Sequence, residues 1–160
     1  MSFRVLIVED DLLVRMPIEE ALDQAGIEWA ATANAEQAEA LLAKDGTKYH
    51  ALLTDIELGG RIDGWELARR ARRINPELAV IYMSGAHAHL WALHGVSGSL
   101  LFNKPTALES IVSALHRWQS QPGCGSNSQE LGKPRILVEQ EDGRIQGECK
   151  SKPGGVRDKQ

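Results

Sequence analysis

The chain has 160 residues, 42% of them hydrophobic and 25% charged, globular values that fit one domain of ordinary size or a smaller domain with an extension. Its net charge is −4. Residues 1–120 hold 11 basic against 16 acidic side chains, whereas residues 121–160 hold 7 against 6, so the body of the chain argues against nucleic acid as its main partner.

Phe3 to Val8 is a continuous apolar run of strand length, rich in β-branched residues. Asp10 or Asp11 can then cap a helix. Leu12, Leu13, Met16, Ile18, Ala21, Leu22 and Ala25 follow at roughly helical spacing, and Gly26 closes it. Pro17 falls inside that helix and predicts a kink in its first turns or a later start. Ile27 to Thr32 reads as a second strand. Glu36 to Ala43 reads as a short helix with Asn34 as cap and Ala38, Leu41 and Leu42 inward. Tyr49 to Thr54 is a third strand, with Asp55 directly after it.

The glycines of Gly59-Gly60-Arg61-Ile62-Asp63-Gly64 mark a loop. Trp65 to Ile74 is a helix with Leu67, Ala68, Ala71 and Ile74 as its apolar positions, stopped by Asn75-Pro76. Leu78 to Met83 is a fourth strand, His87 to Leu93 a short helix ended by Gly95, and Ser99 to Phe102 a fifth strand. Thr106 with Glu109 forms a capping box for a last helix that presents Leu108, Ile111, Val112, Leu115 and Trp118.

Residues 119–134 are Gln, Ser, Gly, Asn and Pro in the main and read as a linker. Ile136-Leu137-Val138 and Ile145 flank Glu141-Asp142-Gly143, a candidate hairpin or a disordered tail. The expected division is a domain over 1–120 and a polar linker and tail over 121–160. Cys124 and Cys149 both fall in that tail and make neither a disulfide framework nor a metal cluster. No basic-then-apolar leader opens the chain, and no apolar run approaches the ~18 residues of a membrane span. The expectation is a soluble, cytoplasmic protein.

Five strand runs alternating with five helix runs mean βα units, a parallel sheet and right-handed crossovers. In an open α/β sheet, ligands bind at the carboxyl ends of the strands. Four strand ends then meet on one rim: Glu9 and Asp10, Asp55, Ser84 and Lys104. Two carboxylates about 4 Å apart, at an effective dielectric of about 20, repel by roughly 4 kcal/mol. Such a pocket must raise a pKa or hold a cation. All-oxygen ligands favour Mg²⁺, which keeps several waters and joins a phosphate. Lys104 adds an ammonium and Ser84 a hydroxyl. Together these groups suit phosphoryl transfer to Asp55, with metal and lysine neutralising the equatorial oxygens and an aspartyl phosphate as product.

The chain resembles a response-regulator receiver domain, the phosphoacceptor half of two-component signalling. The matching residues are Val8-Glu9-Asp10-Asp11, Thr54-Asp55 with Asp63-Gly64, Met83-Ser84-Gly85 and Lys104-Pro105, spread over residues 3–118. The resemblance implies a flavodoxin-like, doubly wound α/β fold: a five-stranded parallel sheet in the order 2-1-3-4-5 with helices on both faces. It implies that Asp55 is the phosphoacceptor. Asp10, Asp55 and the backbone carbonyl of Glu57 would bind Mg²⁺, with Glu9 assisting through water. Lys104 would pair with a phosphoryl oxygen and Ser84 would move toward the phosphoryl group. Lys104-Pro105 would be cis. The implied partners are a sensor histidine kinase or histidine phosphotransfer protein and a downstream protein that the sequence does not name.

Four departures stand out. Gly59 replaces a usual proline, in a Gly-Gly loop one residue longer. Leu101 occupies the place of the usual switch aromatic, with Phe102 beside it. Gly85 to Gly98 is short and histidine-rich, which predicts an abbreviated fourth helix. No DNA-binding domain is expected in the short polar tail. Asp11 reads as a cap rather than a ligand. His87, His89 and His94 read as solvated surface, because histidines two apart on a helix diverge and no further ligands complete a site. Arg69, Arg70, Arg72 and Arg73 read as a solvated helix face. Trp65, Trp91 and Trp118 read as packing residues, the last two with a docking patch as the competing role.

Two other readings compete with the phosphoacceptor. One is a receiver-like interaction module that is never phosphorylated. The other is an Asp-nucleophile phosphatase of the haloacid-dehalogenase type, whose chemistry wants Asp-x-Asp where this chain has Asp55-Ile56-Glu57.

Overall fold

The structure, a computed structural model, describes residues 2–105 and 108–121. Five parallel strands, β1 (Arg4–Val8), β2 (Glu28–Thr32), β3 (Ala51–Asp55), β4 (Ala79–Ser84) and β5 (Leu100–Asn103), form one sheet in the order β2-β1-β3-β4-β5. The helices are α1 (Leu12–Gln24), α2 (Ala35–Asp45), α3 (Gly64–Ile74), α4 (Trp91–His94) and α5 (Leu108–Gln119). Short 3-10 turns cover Gly46–Lys48 and Ala88–Leu90.

Both faces of the sheet are covered, which is why its central strands read as continuous apolar runs. Side-chain alternation along each strand divides the core in two. Leu6, Val8, Leu52, Val80 and Tyr82 pack with α2, α3 and Trp91 of α4; Val5, Ile7, Leu53, Ile81 and Met83 pack with α1 and α5. Every residue of β3 is buried, whereas β2 lies on an edge and ranges from exposed Glu28 to buried Thr32.

Helix α1 starts at Leu12, with the Asp11 carboxylate accepting from the Leu13 amide at 2.9 Å. Pro17 therefore does not delay the start. It lies on the exposed side of the helix, where water can serve the carbonyl that its missing N–H leaves free. Leu12, Leu13 and Met16, read from spacing as part of the apolar face, are exposed at 51, 82 and 53%; Ile18 and Leu22 carry the packing. At the other end Gly26 takes φ +68°, and the Gly26 and Ile27 amides return to Asp23 and Leu22. Asn34 and Asp63 cap α2 and α3.

The fourth helix is abbreviated to one turn. Trp91 is sealed beneath it, its indole N–H donating to Ser99 Oγ at 3.0 Å, so it is a core residue and not a docking patch. The Val96 amide donates to Tyr82 Oη at 3.2 Å, and Arg72 donates to the carbonyls of Leu78 and Ser97. Trp118 is partly buried against the α1/α5 core. The Thr106 cap, the candidate hairpin and both cysteines lie outside the described residues.

Candidate functional site

Glu9 continues β1 by one residue, and alternation turns its side chain inward, where it is completely buried. Asp10, next in the chain, is exposed. Asp55 ends β3 at 5% exposure, and Ser84 ends β4 fully buried. The register Asp55↔Met83 and Ser84↔Asn103 sets these strand ends side by side and brings Lys104, just past β5, onto the same rim. The Lys104-Pro105 peptide is cis.

Carboxylate oxygens of Glu9, Asp10 and Asp55 lie within 4.8 Å of one another. Lys104 Nζ bridges two of these residues, 2.8 Å from Glu9 Oε2 and 3.0 Å from Asp55 Oδ2. The remaining oxygens are held by backbone amides: Asp11 donates to Glu9 Oε1 at 3.1 Å and Glu57 donates to Asp55 Oδ1 at 3.1 Å. Burial pushes Glu9 up to about 7; its bonds from Lys104 and the Asp11 amide work against that rise, and the Asp55 charge adds to it. For Lys104, burial disfavours the charge, but the bonds to Glu9 and Asp55 outweigh it and hold the ammonium above its ordinary value.

Three carboxylates against one ammonium leave a charge of −2 when all are ionised. The donor set is all oxygen, and its exposed member, Asp10, opens it to solvent. A hard divalent cation of the Mg²⁺ kind fits both the charge and the ligand chemistry.

A family model described as the response regulator receiver domain matches residues 5–116. The chain belongs to the response regulator receiver domain family. The response regulator receiver protein CpdR of Brucella abortus is 37% identical over 118 residues, covering 71% of this chain and 94% of that protein. The transcriptional regulatory protein AruR of Pseudomonas aeruginosa is 34% identical over 96 residues, covering 58% of this chain but only 38% of AruR. A crystal structure of a response regulator receiver protein from Sinorhizobium medicae superposes with a TM-score of 0.69 at 30% identity, covering 73% of this chain and 94% of that one. The five-stranded order and the two helical layers are those of this receiver fold. No helix among the described residues is long and apolar enough to cross a membrane.

The receiver rim thus gathers Glu9, Asp10, Asp55 and Lys104 into one cluster. Ser84 is on the rim too, and its Oγ accepts from the His87 amide at 2.8 Å. The Glu57 side chain turns to the His87 imidazole, Nδ1 to Oε1. His87 was expected on a solvated surface, yet it is tied to two rim residues. Its place three residues past a strand end was the available signal, because every strand end of this sheet opens on the same edge. Among the arginines of α3, Arg70 pairs with Glu66 and Glu39, Arg69 pairs with Glu66, and Arg72 is spent on backbone carbonyls.

Proposed function

We propose that the chain is a phosphoacceptor that takes a phosphoryl group on Asp55 from the phosphohistidine of a sensor kinase or histidine phosphotransfer protein. The observation that carries this reading is Asp55 itself: a nearly buried carboxylate on the strand rim, contacted by one ammonium and flanked by two more carboxylates. An Asp55 oxygen forms the new P–O bond while the P–N bond to the donor breaks, and the imidazole nitrogen keeps the electron pair. Lys104 offsets negative charge on the phosphoryl oxygens. Ser84 offers a hydroxyl proton to one of them. Asp10, Asp55 and the Glu57 carbonyl would hold Mg²⁺ directly and Glu9 through water. The ion would supply neutralisation of the equatorial oxygens.

The domain is a signalling acceptor rather than a turnover enzyme. It assists its own phosphorylation and dephosphorylation, and the phosphoryl group biases a two-state protein-interaction surface near β4, α4 and β5. We assign this role to residues 1–120, leaving 121–160 outside the domain, and place it in the cytoplasm with its donor.

Incubation with acetyl phosphate and Mg²⁺, followed by mass spectrometry, tests the reading. It expects one adduct on Asp55. An unchanged mass, together with spectra that do not respond to Mg²⁺ and beryllofluoride, would favour the non-phosphorylated interaction module instead.

A further inference from the structure

Two backbone amides and one side-chain pair connect the acceptor to the switch hydroxyl. The Glu57 amide donates to Asp55 Oδ1 at 3.1 Å, and the His87 amide donates to Ser84 Oγ at 2.8 Å. The Glu57 carboxylate meets the His87 imidazole. A chain of contacts therefore runs from Asp55 through the loop after β3, across to the loop after β4, and back to Ser84. The two side chains that close it are 55% and 41% exposed, so they hold the loops together from the solvent side.

We propose that His87 is a positioning residue, and that its pairing with Glu57 is a clasp that keeps the Ser84 hydroxyl oriented for the group on Asp55. The proposal rests on the phosphoacceptor reading. A serine oxygen that accepts the His87 N–H keeps its own proton to donate, and accepting one bond strengthens the bond it donates. The amide can aim at Ser84 only while the loop after β4 holds its course. The residues that follow Ser84, Gly85 and Ala86, put little side-chain packing into that course, since a Cβ on Gly85 would meet nothing within 4 Å and Ala86 is exposed. The contact that reaches this loop from the loop after β3 is the imidazole on Glu57. Beyond His87 the 3-10 turn begins with the Leu90 amide donating to the His87 carbonyl at 3.0 Å, so the clasp also fixes the lead into Trp91.

The test uses the full chain and beryllofluoride with Mg²⁺, titrated by Trp fluorescence. His87→Ala and Glu57→Ala should each weaken beryllofluoride binding by about threefold to fivefold, the scale of one half-exposed polar contact. The double variant should be no weaker than either single one. Glu57→Gln, which keeps an acceptor oxygen for the imidazole, should recover part of the loss. In a Ser84→Ala background His87→Ala should have no further effect, a result that a merely structural role of His87 would not give. Single variants that bind like wild type, additive losses, or an undiminished His87→Ala effect without the Ser84 hydroxyl would each overturn the clasp. Failure of wild type itself to bind beryllofluoride would overturn the phosphoacceptor reading and the clasp with it.

Discussion

Lys104 Nζ stands 2.8 Å from Glu9 Oε2, joining a side chain that still touches solvent to one that is completely buried. Residues 95 positions apart are thus paired because two parallel strands end on one edge of the sheet. The ammonium is shared with Asp55 at 3.0 Å, so one positive charge serves two carboxylates. Removing it should cost roughly 1–3 kcal/mol, less than a fully buried pair would lose, because Glu9 can take up a proton instead. Urea unfolding of Lys104→Met is expected to show that loss, and to show it growing from pH 6 to pH 8 as Glu9 is forced to ionise without a partner.

Glu9 gives the receiver a pH dependence of definite sign. Its folded value is about 7 against an ordinary 4.5, so the folded protein holds that proton more tightly than the unfolded chain. The associated stability is fully present below about pH 4.5 and is lost as pH rises through about 7, a span worth on the order of 3 kcal/mol. Glu66, held low by Arg70 and then Arg69, acts with the opposite sign and at lower pH. A divalent cation competes with the Glu9 proton. Calorimetric titration with Mg²⁺ should therefore show tighter binding at pH 8 than at pH 6, with proton release near pH 7. Glu9→Gln should flatten both trends.

Gly64 is fixed by the acceptor strand rather than by a turn. A Cβ there would overlap the Asp55 carbonyl oxygen and lie 2.8 Å from Ile56 Cα, both rigid backbone. The Gly64 amide also donates to the Ile56 carbonyl at 2.9 Å. Gly64→Ala must push α3 away from the end of β3, at a cost of about 1–3 kcal/mol. Thermal unfolding should show a lower Tm, and labelling of Asp55 by acetyl phosphate should slow, since the carboxylate moves with its backbone.

Gly95 has a similar duty toward Trp91. Its Cβ would lie 2.5 Å from Trp91 Cδ1 and 2.8 Å from the Trp91 carbonyl oxygen. Gly95→Ala should displace the indole, shift its emission to the red and break its bond to Ser99. Trp91→Phe, which keeps most of the apolar volume but loses that buried bond, should cost about 1–2 kcal/mol by urea unfolding.

The strands were legible because their burial on both sides leaves continuous apolar runs such as Val5 to Val8 and Ala51 to Leu53. The rim followed from them, since a parallel sheet sends every strand's carboxyl end the same way. Spacing did not tell which side of α1 would be covered, so Leu12, Leu13 and Met16 were misplaced. Helical period fixes neighbours on a face, but the packing partner selects the face, and α5 meets Ile18 and Leu22. Nor did the sequence reveal the Glu57–His87 contact. It joins two loops, and loops carry no period from which a side chain's direction can be read. Leu101 and Phe102 divide as alternation requires, Leu101 toward Tyr82 and Trp91, Phe102 toward Ile111 and Leu115. Position 101 thus puts an aliphatic side chain against the core that holds Trp91 of the one-turn α4.

The central claim is that Asp55 accepts a phosphoryl group, and mass spectrometry of the full chain after acetyl phosphate and Mg²⁺ tests it most directly. Wild type should gain a single phosphoryl adduct that maps to Asp55, and Asp55→Asn should gain none. No adduct on wild type, or equal labelling of Asp55→Asn, would contradict the account.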